Sequence, residues 1–326
     1  EGCPRHLFLS SVDKILDFID NGDVEVVMKH ITVLKEEAIQ YLAIKPNGIY
    51  VDGTLGGAGH SKRILEEIKD GFLYAFDQDQ FAIDYAKQVL KDDNRYEIIK
   101  SNFRHLKDEL AKRHVTGIDG LLLDLGLSSF QIDDVSRGFT YLKDTTLDMR
   151  MNQQQSLTAE TIVNTYSLDE LARIFYVYGE EKNAYKIARR ILDHRPLKTT
   201  MDLVHICDQV NYKEKGHSAK RVFQALRIAV NDELTVLEEV LKDAVDLLKP
   251  DGRLVVITFH SLEDRIVKHF FRDESEEDPI LKKLPIPTQN QSKTEVITRK
   301  PVYPSEEEIT HNPRSKSAKL RALRRR

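Results

Sequence analysis

The residues best suited to chemistry are Asp52-Gly53-Thr54-Leu55-Gly56-Gly57-Ala58-Gly59-His60, a glycine-rich turn between a short apolar run and a helical one. Glycines there permit unusual dihedrals and let a ligand approach without Cβ atoms in the way. The helix start beyond them offers free N–H groups to an anionic or carboxylate group. The glycine spacing is not the dinucleotide pattern GxGxxG, and a tight structural turn is the alternative reading. Asp77, 18 positions after Gly59, ends the next apolar run. A carboxylate there can accept hydrogen bonds from both ribose hydroxyls of an adenosine ligand. Asp79 is a second candidate acceptor, and either residue can cap the following helix. Phe103, after the third run, suits an adenine ring or the core. Asp124 ends the fourth run, and strand carboxyl ends form the ligand crevice of open α/β sheets.

The elements that must position these residues follow from the apolar pattern. GIYVDGT, FLYAFDQD, YEIIKSNF and GLLLDLGLSS read as buried strands. Helical stretches separate them: His60 to Ile68, FAIDYAKQVL and FRHLKDELAKRH. This alternation predicts βαβ units and a parallel sheet covered on both faces. From Gln131 to about Lys220 the strands stop and helical segments take over: SLDELARIFYVYG, EKNAYKIARRILDH and TMDLVHICDQV. The α/β pattern resumes with VFQALRIAVNDELTVLEEVLKDAVDLLKP, a long helix or helix pair, and RLVVITFHS, a fifth strand. A helical insertion inside one α/β domain explains this order. The boundaries expected are an extension of unassigned role over 1–27, the α/β domain over 28–132 and 221–326, and a helical substrate-recognition domain over 133–220.

Composition narrows the function classes. The chain has 326 residues, 40% of them hydrophobic and 31% charged, as in an ordinary globular protein. No apolar stretch approaches the length of a membrane span. Cys3 and Cys207 are too far apart, with no Cys/His spacing, to suggest a disulfide framework or zinc site; a reducing, cytoplasmic setting and no metal are expected. The formal charge of -4 excludes a globally basic nucleic-acid binder, but charge is uneven along the chain. RDESEED at 272–278 is acidic, and a Pro-rich, polar segment to about Pro304 reads as a long surface loop. The last sixteen residues carry seven Lys/Arg and no acid; SAKLRALRR reads either as a solvated tail or as a final edge strand displaying its basic side chains.

DGTLGGAGHS, LLLDLGLSSFQ, RGFTY, LDMRMN, YGEEKNAYKIARRI, FQALRIAVNDEL, TFHSLEDRIVKHF and HNPRSKSAKLR closely resemble the RsmH (MraW) family. The resemblance runs from about His30 to Leu320. Members of that family are S-adenosylmethionine-dependent methyltransferases of small-subunit (16S) ribosomal RNA, with a Rossmann-like class I methyltransferase domain and an inserted helical domain. The resemblance implies N4-methylation of one cytidine in the decoding centre. It implies methionine-moiety contacts at Ala58, Gly59 and His60, Asp77 on the ribose, Phe103 by the adenine, and Asp124 and Gln131 around the cofactor. Ala58 replaces a glycine that many members carry; it fits a right-handed backbone and strains a left-handed one.

Methylating an exocyclic amine demands particular groups. The cytosine N4 lone pair is delocalised into the ring, so the site must hold N4 in line with the methyl donor and accept hydrogen bonds from the amino protons. Candidates at the end of strand four are Asp124, Ser128, Ser129 and nearby carbonyls. The Asn/Asp-Pro-Pro-Tyr segment of other amino methyltransferases is absent here. His260 is a further candidate base or donor, or else a helix cap. Asp148 and Arg150 can hold the RNA backbone or form a structural ion pair. Lys182, Lys186, Arg189, Arg190, Arg195, Lys198, Lys213, Lys215, Lys220 and Arg221 suit RNA phosphates, and Phe139, Tyr141 or Tyr178 an extruded base. Small-subunit ribosomal RNA within an assembled or nearly assembled 30S particle is the expected partner, with no membrane and with homodimerisation open. The competing readings are a non-catalytic ribosome-assembly factor that keeps the fold and a nucleotide-dependent oxidoreductase, which would need GxGxxG.

Overall fold

The computed structural model describes residues 31–276 and 292–326; the extension over 1–27, part of the acidic run and much of the Pro-rich segment lie outside the described residues. Seven strands form one sheet: β1 (Ile49–Asp52), β2 (Phe72–Asp77), β3 (Tyr96–Lys100), β4 (Ile118–Asp124), β5 (Leu248–Thr258), β6 (Thr294–Val296) and β7 (Lys319–Arg325). Their spatial order is β3-β2-β1-β4-β5-β7-β6. β1 to β5 pair in parallel, and β7 runs antiparallel to both β5 and β6. Strand order reverses between β1 and β4, so a crevice opens at their carboxyl ends, where Asp52 and Asp124 stand.

The apolar runs that predicted the strands are two-faced. Val51, Leu121, Leu123, Leu254 and Val256 enter one core with α4 (Leu106–Ala111), α11 (Glu233–Leu247) and α12 (Ser261–Ser275). Their neighbours Tyr50, Leu122, Val255 and Ile257 enter a second core with α1 (Lys35–Leu42), α2 (Gly59–Glu67) and α3 (Gln80–Val89). Alternate residues of a strand point to opposite faces, and both faces here are covered. The result is a Rossmann-like α/β sheet, as expected from the strand-helix alternation.

A third core is helical. After the short α5 (Ser129–Asp133), it is built by α6 (Ala159–Thr165), α7 (Leu168–Gly179), α8 (Ala184–Asp193), α9 (Thr200–Asn211) and α10 (Lys220–Asn231). Ser167 with Glu170 and Thr199 with Asp202 form capping boxes that start α7 and α9. The long amphipathic stretch is a helix pair broken at Asp232, whose φ is 52°. α10 gives Val222, Phe223 and Leu226 to the helical core, whereas α11 gives Leu237, Val240 and Leu241 to the sheet.

The C-terminal basic segment departs from the edge-strand expectation. β7 is interior, flanked by β5 and β6. Its cations are consumed within the protein: Arg321 Nε lies 2.7 Å from Asp264, Arg324 pairs with Glu295, and Arg325 donates to the carbonyls of Val245, Asp246 and Leu248. These partners come from α12, β6 and the junction of α11 with β5, and local patterning does not reveal them. A further helix, α13 (Glu306–His311), precedes it.

Candidate active site

The glycine-rich turn is pinned at three points to the strands around it. Gly53 N–H donates to the Leu122 carbonyl, Leu55 N–H to the Phe76 carbonyl, and Asp124 N–H to Thr54 Oγ1 at 2.7 Å. Asp52, fully buried, accepts from Thr54 N–H and from Ser61 Oγ at 2.7 Å. Burial raises its pKa against the opposing pull of His60 and Ser61. Asp52 thus staples the turn to the first turn of α2.

Ala58 adopts φ 60°, the left-handed region, immediately before α2. Its methyl is fully buried, and a left-handed alanine costs about 1–2 kcal/mol of backbone energy. The condition under which alanine strains this turn is therefore met. Gly59 is required for a different reason: a Cβ built on it falls 1.7 Å from Thr32 Oγ1. Gly59→Ala is expected to destabilise the fold by about 1–3 kcal/mol through overpacking. Urea denaturation reads this, and an unchanged midpoint would show that Thr32 swings away.

Two side chains beside the turn, His60 and the partly exposed Asp124, carry buried polar atoms that are incompletely paired among the described residues. His60 is 4% exposed, and neither ring nitrogen has a hydrogen-bond partner among the described residues. Its Nε2 lies 3.5 Å from one carboxylate oxygen of Asp124, whose other oxygen, Oδ1, is also buried without a partner. Buried polar atoms in native proteins are almost always satisfied, so a crevice that leaves these open is built for polar groups of a ligand. Both donor and acceptor capacity are on offer, as an amino-acid moiety requires.

Asp77 and Asp79, alternatives in the sequence, separate here. Asp79 caps α3 through Phe81 N–H at 3.1 Å and is buried against Arg137, whose Nη1 lies 2.8 Å from its Oδ2. The same oxygen accepts from Gln131 Nε2 at 3.2 Å. Asp77 instead holds only backbone amides, Gly56 N–H at 2.9 Å and Asp79 N–H at 2.8 Å, and its lone pairs are not exhausted. Burial pushes the Asp77 carboxyl up to about 6, against the pull of those amides. Phe103 opens a single helical turn capped by Asn102 and is partly buried against the sheet core.

The acceptor candidates after β4 have structural work. β4 ends at Asp124, and Ser128 with Gln131 forms a capping box for α5: Ser128 Oγ accepts from Gln131 N–H, and Gln131 Oε1 from Ser128 N–H, both at 3.2 Å. Ser129 is the first residue of α5. His260 caps α12, accepting from Glu263 N–H at 3.5 Å, and its Nε2 sits 3.0 Å from Glu263 Oε1. Burial raises the Glu263 carboxyl, but His260, Arg227 and the Phe259 amide outweigh this and hold it low. Ligand atoms of Glu233, His260 and Glu263 lie within 4.8 Å of one another, while Arg227 donates to both carboxylate oxygens of Glu233. Arg227 thus already supplies a positive charge beside these acids.

The electropositive helical surface is partly as expected. Lys182, Lys186, Lys198, Lys213, Lys215 and Lys220 are exposed and form no ion pair among the described residues. Arg195 is not available: it donates to the Val163 and Tyr166 carbonyls at the end of α6. Arg150 makes a two-pronged ion pair with Asp148 at 2.8 Å, the structural alternative. Phe139, Tyr141 and Tyr178 pack against the helical core. The exposed aromatics are others, Tyr176 at 68%, Tyr185 at 59% and Tyr212 at 73%, the last with Lys213 Nζ 5.3 Å from its ring centre. Their helix-face position was the available signal. Arg137, also missed, opens the RGFTY motif, but nothing local points to its partner, which lies 58 residues away.

Comparison with known proteins identifies the family. The family model described as the MraW methylase family matches residues 27–326. "Ribosomal RNA small subunit methyltransferase H 1" of Acholeplasma laidlawii is 57% identical over 294 residues, covering 90% of this chain and 98% of that protein. "Ribosomal RNA small subunit methyltransferase H" of Onion yellows phytoplasma is 55% identical over 292 residues, covering 90% and 96%. A solved rRNA methylase from Streptococcus thermophilus superposes with a TM-score of 0.39 at 12% identity, covering 89% of this chain and 93% of that one. A match over nearly the whole chain, together with the glycine-rich turn at the strand-order reversal, shows that the chain belongs to the MraW methylase family.

Proposed function

We propose that this protein transfers the methyl group of S-adenosylmethionine to the exocyclic N4 amine of one cytidine in the decoding centre of small-subunit ribosomal RNA. The observation that carries the cofactor part is the set of buried polar atoms without partners among the described residues beside the glycine-rich turn, both ring nitrogens of His60 and Oδ1 of Asp124. Family membership and the names of the relatives support a small-subunit RNA substrate; the N4 position and the decoding centre rest on the motif resemblance. When bound, the cofactor supplies a sulfonium methyl that is already strongly electrophilic.

The chain's own residues do the rest. Asp77 accepts from the ribose hydroxyls, Phe103 packs by the adenine, and Ala58, Gly59 and His60 contact the methionine moiety. Gln131 positions the pocket through Asp79. Asp124 faces both reactants, and its unpaired Oδ1 is the best-placed acceptor for an amino proton. Ser128 and Ser129 shape the approach at the start of α5, and His260 acts from the α12 cap. We place the helical recognition body between residue 133 and Asp232, with its exposed lysines on phosphates and the exposed tyrosines on bases. Among the described residues no helix is long and apolar enough to cross a membrane.

The test incubates the protein and labelled S-adenosylmethionine with small-subunit particles from a strain lacking the enzyme, then maps the modified nucleotide. Label at one cytidine N4 is expected. Label elsewhere overturns the position, and cofactor binding without transfer favours the assembly-factor reading. Light scattering of the same preparation reports whether the active species is one chain or two.

The Asp77 carboxyl also predicts a pH dependence. A folded-state pKa near 6, above the ordinary 3.8, means that the apo protein takes up a proton there as pH falls below about 6. Protonation removes a charged acceptor from the ribose hydroxyls. Affinity for S-adenosylhomocysteine is therefore expected to hold above pH 6 and to fall by up to about tenfold per unit below it. Calorimetry from pH 5 to 8 reads this, and a flat profile would remove Asp77 from the ribose.

A further inference from the structure

The cofactor pocket and the helical body meet in one chain of polar contacts, buried at its centre and partly buried elsewhere. It starts at Asp77, whose Oδ1 accepts from Asp79 N–H at 2.8 Å. Asp79 pairs with Arg137 at 2.8 Å, both side chains being more than nine-tenths buried. The other end of the guanidinium, Nη2, donates to the carbonyls of Arg150 at 2.9 Å and Met151 at 3.0 Å. Met149 N–H returns to the Arg137 carbonyl at 3.0 Å. The segment is then held from the helical side: Asn231, last residue of α10, accepts from Met151 N–H at 2.8 Å and donates to the Met149 carbonyl at 2.9 Å. Met149, with φ 61°, is in the left-handed region, so this segment is shaped by its contacts and not by local preference.

We propose that Arg137 is a positioning residue for methyl transfer, setting where the helical body, and the RNA it carries, stands relative to the methyl donor. A guanidinium suits this because its planar fork serves the carboxylate on one edge and the two carbonyls on the other. An ammonium can hold Asp79 or the carbonyls, but not both sets in this geometry. This proposal rests on the methyltransferase reading above.

The test uses the full chain with Arg137→Lys. Asp79 keeps a cation, so affinity for S-adenosylhomocysteine is expected to stay within about threefold of wild type. The grip on Arg150 and Met151 is lost, so the single-turnover rate at saturating particles is expected to fall by at least tenfold. A wild-type rate overturns the proposal, as does a parallel loss of cofactor affinity, rate and melting temperature, which would mark a purely structural pair. Amide hydrogen exchange supplies a readout independent of RNA chemistry. S-adenosylhomocysteine is expected to slow exchange over residues 149–151 and the end of α10 in wild type and not in the variant. Equal protection in both overturns the proposal even if wild type methylates no particle, a result that would instead count against the substrate reading.

Discussion

Asp124→Ala is expected to lower the single-turnover rate of methyl transfer by about 10²–10⁴-fold, the range for loss of a positioned proton acceptor. The residue stands at the end of β4, with its N–H fixed by Thr54 Oγ1 and one oxygen 3.5 Å from His60. Its Oδ1 is buried with nothing to accept from among the described residues, which is costly unless a ligand or substrate donates to it. Alanine removes that acceptor and leaves His60 without its nearest charge. Asp124→Asn separates the roles, since it keeps the shape and removes the charge. Loss of rate with retained S-adenosylhomocysteine affinity assigns Asp124 to the target amine, whereas loss of affinity first assigns it to the cofactor. A full rate in the alanine variant would remove it from the mechanism.

Asp79→Ala is expected to cost about 3–5 kcal/mol of stability, the magnitude for stranding one partner of a buried ion pair. Arg137 would remain buried, with a side-chain exposure of 7%, and would lose its direct ion-pair partner, leaving only the more distant charge of Asp148. Gln131 Nε2 would lose its acceptor and α3 its cap, the latter worth about 1 kcal/mol by itself. Adding Arg137→Met to the Asp79→Ala chain removes the stranded cation, so the double variant is expected to be more stable than Asp79→Ala alone. Urea denaturation of both reads the difference. A cost below about 1 kcal/mol for the single variant would show that water reaches the guanidinium.

Much of the site was legible because it is local. The four strand ends that carry the turn, Asp77, Phe103 and Asp124 each follow an apolar run, and the chain must place such ends along one edge of a parallel sheet. The choice between Asp77 and Asp79 was not legible. Asp77 ends β2 and Asp79 follows two residues later, and only Arg137 and Gln131, brought in from the segment after β4, commit Asp79 to structure. α1 was also passed over: it begins at a left-handed Leu34 with no side-chain cap, so no start signal marks it. The Leu34 N–H is instead satisfied by Glu308, 274 residues away.

What the sequence by itself determined is the alternation of elements, the glycine-rich turn and the family motifs, because hydrophobic period and backbone permissiveness act over a few residues. What only the tertiary structure decided is which charges are free to act. Arg195 and the arginines of β7 look available in the chain but end on carbonyls and carboxylates, while His60 and Asp124 look ordinary but end with buried polar atoms unpaired among the described residues. The reason is physical: a buried charge or polar atom must find partners within hydrogen-bond distance, and folding brings those partners from anywhere along the chain.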